Sequence, residues 1–156
     1  MRRLARRLAV LVPVVALAFL AGFVCAHVVP VAQAAALPLT PQIIDVGALS
    51  DDEIGPIRPG TALRSKVLVS ADGSTVAVQE GTIPKHFHAD ANEIQYIIEG
   101  SGKFWLGDKI QDVHAGDLIV IPKGTAHAGA TIVSGNLRAI AIKTPPQDPT
   151  DTHFLP

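Results

Sequence analysis

Gly81-Thr-Ile-Pro-Lys-His86-Phe-His88-Ala-Asp-Ala-Asn-Glu93-Ile-Gln95-Tyr-Ile-Ile-Glu-Gly100 and, further on, Gly116-Asp-Leu-Ile-Val-Ile-Pro122-Lys-Gly124-Thr-Ala-His127 are the two runs that decide how this chain reads. Val, Ile and aromatic residues crowd residues 93–98 and 118–121, with Gly and Pro at the boundaries, which is the pattern of short strands. Side chains alternate faces along a strand, so His86 and His88 point to one side and Phe87 to the other. By the same parity Glu93 and Gln95 share a face on the next strand. The small and polar residues Ala89, Asp90, Ala91 and Asn92 suit the connection between them. A turn at Pro122-Lys-Gly124 then brings the chain back to His127. Three imidazoles and one carboxylate are a donor set for a single divalent transition metal ion, and such a set leaves coordination positions open for water or a substrate.

Those residues carry a family resemblance. The first run resembles the first cupin motif, matched by Gly81, His86, His88, Glu93 and Gly100. It departs only in having four residues rather than five between Gly81 and His86. The second run resembles the second cupin motif, matched by Gly116, Pro122, Gly124 and His127, with Thr131 where that motif ends in Asn. The resemblance extends over roughly residues 63–143 and is to small single-domain cupins of type 2. It implies an all-β fold, the double-stranded β-helix or jelly-roll barrel, with the metal inside. The implied ligands are His86, His88, Glu93 and His127, and the implied cofactor is one divalent transition metal ion: Mn, Fe, Ni or Zn.

Outward from this barrel, the N-terminus reads as a targeting segment over residues 1–36. Arg2, Arg3, Arg6 and Arg7 form a basic start, residues 8–24 are apolar and uncharged, and cleavage is expected near Ala34 or Ala36. The alternative is an uncleaved membrane anchor, because the uncharged run is long enough to span a bilayer. Cleavage leaves 9 of the 13 basic residues against 14 acidic ones, a net charge of about −5. That balance argues against nucleic acid or an anionic membrane surface as a partner. The single cysteine, Cys25, departs with the segment, so the mature chain needs no disulfide and suits a periplasmic or secreted location.

The mature chain is the size of one domain. Residues 37–60 read as an extended arm, with Ile43 and Ile44 as a short edge strand. Ser50-Asp-Asp-Glu53 resembles a helix cap, and Gly55, Pro56 and Pro59 stop any helix at once. The barrel occupies residues 61–143. Strands are expected over 63–70 and 75–80 around Asp72-Gly73, over 103–106 and 110–113, and as a hairpin of 131–133 with 137–143. Many short strands between Gly and Pro turns and almost no helix agree with a barrel or sandwich. The proline-rich tail, residues 144–156, reads as an extended arm rather than a packed element.

Further residues of the barrel have expected places. Gln95 either contacts a substrate or a metal-bound water, the catalytic role assigned to it here, or supports a ligand. Phe104 and Trp105 lie on opposite faces of one strand and are expected to pack. Tyr96 is expected to pack on the face opposite Glu93, and Arg138 to lie at the surface. His114 and His153 are not expected among the ligands.

The resembled fold hosts oxygenases, decarboxylases and lyases as well as binding proteins. The reading followed here is an exported mononuclear-metal enzyme acting on a small oxygenated or carboxylated molecule. The alternative is a non-catalytic envelope module that binds a small ligand or a metal ion. Small cupins also form homodimers, through an arm such as 37–60 or the tail. The targeting segment gives a first prediction: the native protein begins near Ala35 or Leu37 and lies outside the cytoplasm. Mass spectrometry showing an intact N-terminus from Met1 would contradict it.

Overall fold

The computed structural model describes residues 39–156, so the targeting segment expected over residues 1–36 lies outside the described residues. Residues 39–49 form neither helix nor strand, and the edge strand expected at Ile43 and Ile44 is absent; Ile43 is fully exposed. One helical turn follows, α1 (Asp51–Ile54). The Ser50 hydroxyl accepts from the Glu53 N–H while the Glu53 carboxylate accepts from the Ser50 N–H, a reciprocal cap that satisfies donors a short helix cannot. Gly55, at φ 112°, ends it.

Everything else regular is strand: β1 (Ala62–Ala71), β2 (Ser74–Thr82), β3 (His86–Phe87), β4 (Asn92–Leu106), β5 (Lys109–His114), β6 (Leu118–Ile121), β7 (His127–Thr144) and β8 (His153–Phe154). β1 and β2 form a hairpin around Asp72 and Gly73, both at positive φ. β7 is the spine. On one edge it pairs with β2 from Thr75↔Lys143 to Glu80↔Arg138, and on the other it runs antiparallel along β4. Beyond β2 its edge is taken up by β3, where His86 faces His127. The start of β4 pairs with β6 and its end with β5. Together the strands curl into the expected double-stranded β-helix jelly roll, with one concave face.

Two expectations about β7 and the tail are corrected. Residues 131–133 and 137–143 do not pair with each other. Both pair with β4, whose greater length offers each half a partner, and the register slips between them at Ser101 and Gly102. The tail does not trail as an arm either: β8 returns to pair with β3, Phe154 against His86 and His153 against Phe87. Composition pointed to an extended chain, but two backbone pairs and one buried aspartate, Asp151, fold it back.

Parity sets the two faces. Glu93, Gln95, Ile97 and Phe104 of β4 point to the concave side, where Ile97, Phe104, Ile119, Ile121 and Leu137 make the core. Ile94, Tyr96, Leu118 and Val120 point outward and are exposed, so Tyr96 faces solvent instead of packing. Arg138 is also on the outer face but is buried, against the surface position expected of it. Its guanidinium donates to Glu80 at 2.7 Å and to the carbonyls of Val46 and Gly47, so the N-terminal arm covers it. Two motif glycines are fixed by backbone contact. At Gly81 (φ 105°) a Cβ would strike the Ala62 carbonyl, and at Gly100 (φ 79°) the Asn136 carbonyl.

Candidate metal centre

The concave face carries the motif residues at one end of the core. The β3–β7 register makes His86 and His127 direct cross-strand neighbours, their ring centroids 4.3 Å apart. His88 follows β3 on the same face, 5.1 Å from the His86 ring and 5.3 Å from that of His127. Glu93 enters from the start of β4. All four side chains are buried, Glu93 and His127 to 1 % exposure. One ring nitrogen from each of His86, His88 and His127 lies within 4.8 Å of the other two, a cluster that can hold a metal ion.

The backbone sets the ring protons. Nδ1 of His86 faces the Pro84 carbonyl at 2.9 Å, Nδ1 of His127 faces the Thr125 carbonyl at 2.9 Å, and Nδ1 of His88 faces the Asp151 carbonyl. A carbonyl only accepts, so each Nδ1 carries a hydrogen toward it, and the Nε2 atom of each ring is the one turned toward the cluster, as in a metal-ligating imidazole. Burial, reinforced by the neighbouring His127, pushes His86 down to about 4, so its ring is neutral at neutral pH.

Glu93 makes these nitrogens a problem that a cation solves. Its Oε2 lies 3.1 Å from His88 Nε2 and 3.3 Å from His127 Nε2. Burial favours its neutral form, but with hydrogens on the facing nitrogens the hydrogen bonds from His127 and His88, together with the Lys143 ammonium, outweigh burial and hold the carboxyl well below the usual carboxylate range. An ionised carboxylate and two imidazole lone pairs repel one another unless protons or a metal ion lie between them. His127 Nε2 is buried and has no hydrogen-bond partner among the described residues. Such an orphaned nitrogen, in a hard and borderline donor set of three imidazoles and a carboxylate, fits a divalent transition metal. The gap bounded by His86, His88, Glu93 and Gln95 is about 20 Å³, room for an ion or one water.

Residues outside the motifs complete the site. Lys143 stands opposite Glu93 in the β4–β7 register, its ammonium 3.6 Å from Oε2 and bonded on its other side to Gln147 Oε1. Gln95, two residues from Glu93, donates its amide to Glu93 Oε1 at 2.9 Å, which turns Oε2 toward the histidines.

Asp151 acts on His88 from the tail. Its carbonyl accepts from His88 Nδ1, and its carboxylate accepts from the backbone N–H groups of Ala89, Asp90 and Ala91 at 2.6 to 3.4 Å. Neither Lys143 nor Asp151 was singled out in the sequence, because each meets the site through pairing with a distant strand. An acid in an otherwise proline-rich tail was the one available signal for Asp151.

The remaining candidates lie outside the cluster. Phe104 packs 6.4 Å from the His127 ring, and Trp105 faces outward under the Lys85 ammonium. His114 is exposed in a turn, and His153 stacks on Phe87.

Comparison with known proteins gives the same architecture. Residues 74–143 match the family model described as Cupin domain. An uncharacterized protein of Methanocaldococcus jannaschii, MJ1618, is 36 % identical over 70 residues, 45 % of this chain and 56 % of that protein. The chain therefore spans little more than half the length of this relative. KdgF from Halomonas sp. superposes with a TM-score of 0.53 at 20 % identity, covering 60 % of this chain and 86 % of KdgF. A variant of Streptomyces PAC13 with uridine superposes at 0.52 and 19 % identity, covering 60 % of this chain and 78 % of PAC13. At such identities the likeness shows the fold. The family match and the fold together support the cupin superfamily.

The tail contact generates a prediction. Asp151→Ala removes the acceptors of three N–H groups, and hydrogen bonds to a charged group are worth about 1.5–3 kcal/mol each. Urea unfolding at pH 7 should show a loss of at least about 2 kcal/mol. Burial raises the Asp151 carboxyl but the three backbone donors outweigh it and lower it below its ordinary 3.8. A carboxyl lowered by folding stabilises above the ordinary value and loses that effect as pH falls through the lowered one. The gap between wild type and variant should therefore close in strong acid. An equal stability at pH 7 would show that the tail does not clasp the site.

Proposed function

We propose that this chain is an exported cupin metalloprotein in which His86, His88, Glu93 and His127 hold one divalent transition metal ion, Mn, Fe, Ni or Zn. We further propose that it acts as an enzyme on a small oxygenated or carboxylated molecule. One observation carries the metal reading: three buried imidazoles, each with its Nδ1 on a backbone carbonyl, bring one ring nitrogen apiece within 4.8 Å of one another, beside the buried carboxylate of Glu93. When bound, such an ion supplies Lewis acidity and, as iron or manganese, redox chemistry.

The chain's own residues set up the site. Gln95 fixes one oxygen of Glu93 and so aims the other. The Pro84, Thr125 and Asp151 carbonyls hold the three rings in one tautomer. Phe104 lies nearly parallel to the His127 ring on the core side, 6.4 Å away. The location outside the cytoplasm rests on the targeting segment read over residues 1–36. That a neighbour of this fold is known with uridine bound is in keeping with a small-molecule ligand, but uridine belongs to PAC13.

A second reading is a non-catalytic module that binds a metal or a small ligand. The tightness of the gap among the histidines, about 20 Å³, favours it. Turnover in an oxygen-uptake and decarboxylation screen with small organic acids separates the two.

Zinc titration with elemental analysis tests the metal reading. Wild type should bind one equivalent. His127→Ala should lose most of it while staying folded, because the Ile97–Leu137 core does not depend on the ion. Gln95→Leu should weaken binding ~10–100-fold, as loss of a ligand-orienting partner does. Full occupancy in the His127 variant would make the ligand set wrong. Unchanged affinity in Gln95→Leu would return Gln95 to the role of substrate contact.

A further inference from the structure

We infer that the concave face beside the metal centre is a binding bowl for a small carboxylate, received by Arg58 with Lys143 at its base; this rests on the metalloenzyme reading above. A cavity of about 280 Å³ opens there, lined by Arg58, Ser65, Thr75, Gln79, Lys143 and Asp148 among others. That volume is at the small end of ligand-pocket sizes, so it takes a compact metabolite. Arg58, Gln79 and Lys143 line both this bowl and the narrow gap at His86, His88 and Glu93. These three side chains are the boundary that a molecule seated in the bowl shares with the metal position.

The floor of the bowl explains the space. In the β1–β2–β7–β4 register Val67, Ala77, Ala141 and Gln95 lie in one row of the concave face, and Thr75, Lys143 and Glu93 in the next. Alanine at 77 and 141 leaves open what larger residues would fill. Val67 is 59 % exposed on this inner face, as a side chain beside a vacancy in the fold would be.

Charge gives the ligand class. The Arg58 guanidinium makes no hydrogen bond or ion pair among the described residues, although its backbone is firmly held. Its N–H donates to the Leu63 carbonyl at 2.8 Å, and its carbonyl accepts from the N–H and hydroxyl of Thr61. The preceding turn is pinned where Arg64 donates to the Gly55 carbonyl at 2.7 Å. Arg58 is exposed and lines the bowl, and the free fork of its guanidinium matches the two oxygens of a carboxylate. Lys143 adds a second positive charge at the base. Of the three nearby acids, Glu93 faces the histidines, Asp151 is turned to the backbone N–H groups of residues 89–91, and Asp148, on the rim of the bowl, accepts from the Thr150 N–H at 2.8 Å and hydroxyl at 2.6 Å. With a divalent ion held by a single carboxylate, the site carries surplus positive charge that an anionic ligand offsets.

The test uses succinate, citrate and benzoate with the neutral controls succinamide and benzamide, titrated by calorimetry into zinc-loaded and metal-free protein. Succinate or benzoate should bind at least tenfold more tightly than its amide. Arg58→Gln should weaken that binding at least tenfold, with zinc content and thermal stability unchanged, and Arg58→Lys should recover part of it. The dependence on Arg58 should persist, at lower affinity, in metal-free protein. Failure to load zinc would overturn the metal reading and leave this last comparison standing. Amides that bind as well as acids, an Arg58→Gln variant that binds like wild type, or no binding by any of the three acids would overturn the bowl.

Discussion

A buried carboxylate facing imidazole lone pairs is the constraint on which this structure turns. Glu93 is 1 % exposed, its carboxyl is held well below the usual range, and its Oε2 sits within 3.3 Å of two ring nitrogens. Burying such a charge is costly unless it is paired. Lys143 supplies one partner at 3.6 Å and Gln95 a hydrogen bond at 2.9 Å. Neither quenches the Nε2 lone pairs. A cation shared by Glu93 and the three histidines does, and it satisfies the orphaned His127 nitrogen at the same time.

The fold delivers this arrangement through one long strand. β7 places His127 beside His86 at one end and Lys143 beside Glu93 at the other, with Ala139 and Ala141 between. Its alternation thus sets a metal end, an open row of small residues and a cationic residue on one concave face. The C-terminal segment closes the arrangement from outside. Asp151 gathers the 89–91 turn with its carboxylate and His88 with its carbonyl, so the ring depends on a residue that no strand of the barrel contains.

What was legible beforehand follows from the range of each interaction. The His-x-His alternation, the parity of Glu93 with Gln95 and the turn glycines are local, and local pattern sufficed for them. The jelly roll followed from two motifs resembling those of cupins. Lys143, Asp151 and Arg58 were not legible as parts of a site, since only strand register and the return of the tail bring them there. Arg138 looked like a surface residue because nothing local showed the arm's carbonyls folding over it. Tyr96 was expected to pack because an apolar strand does not announce which of its faces meets solvent. The proline-rich tail misled for a related reason: composition reports chain stiffness, while its fold rests on one buried acid and a two-residue strand.

The central claim is that one ion is shared by these four side chains, and anomalous diffraction from crystals of zinc-loaded protein tests it most directly. The account predicts a single strong peak within bonding distance of Nε2 of His86, His88 and His127 and of a Glu93 oxygen, with each Nδ1 still on its carbonyl. A peak elsewhere, or one that leaves Glu93 paired only with Lys143 and His127 Nε2 still without a partner, would contradict it.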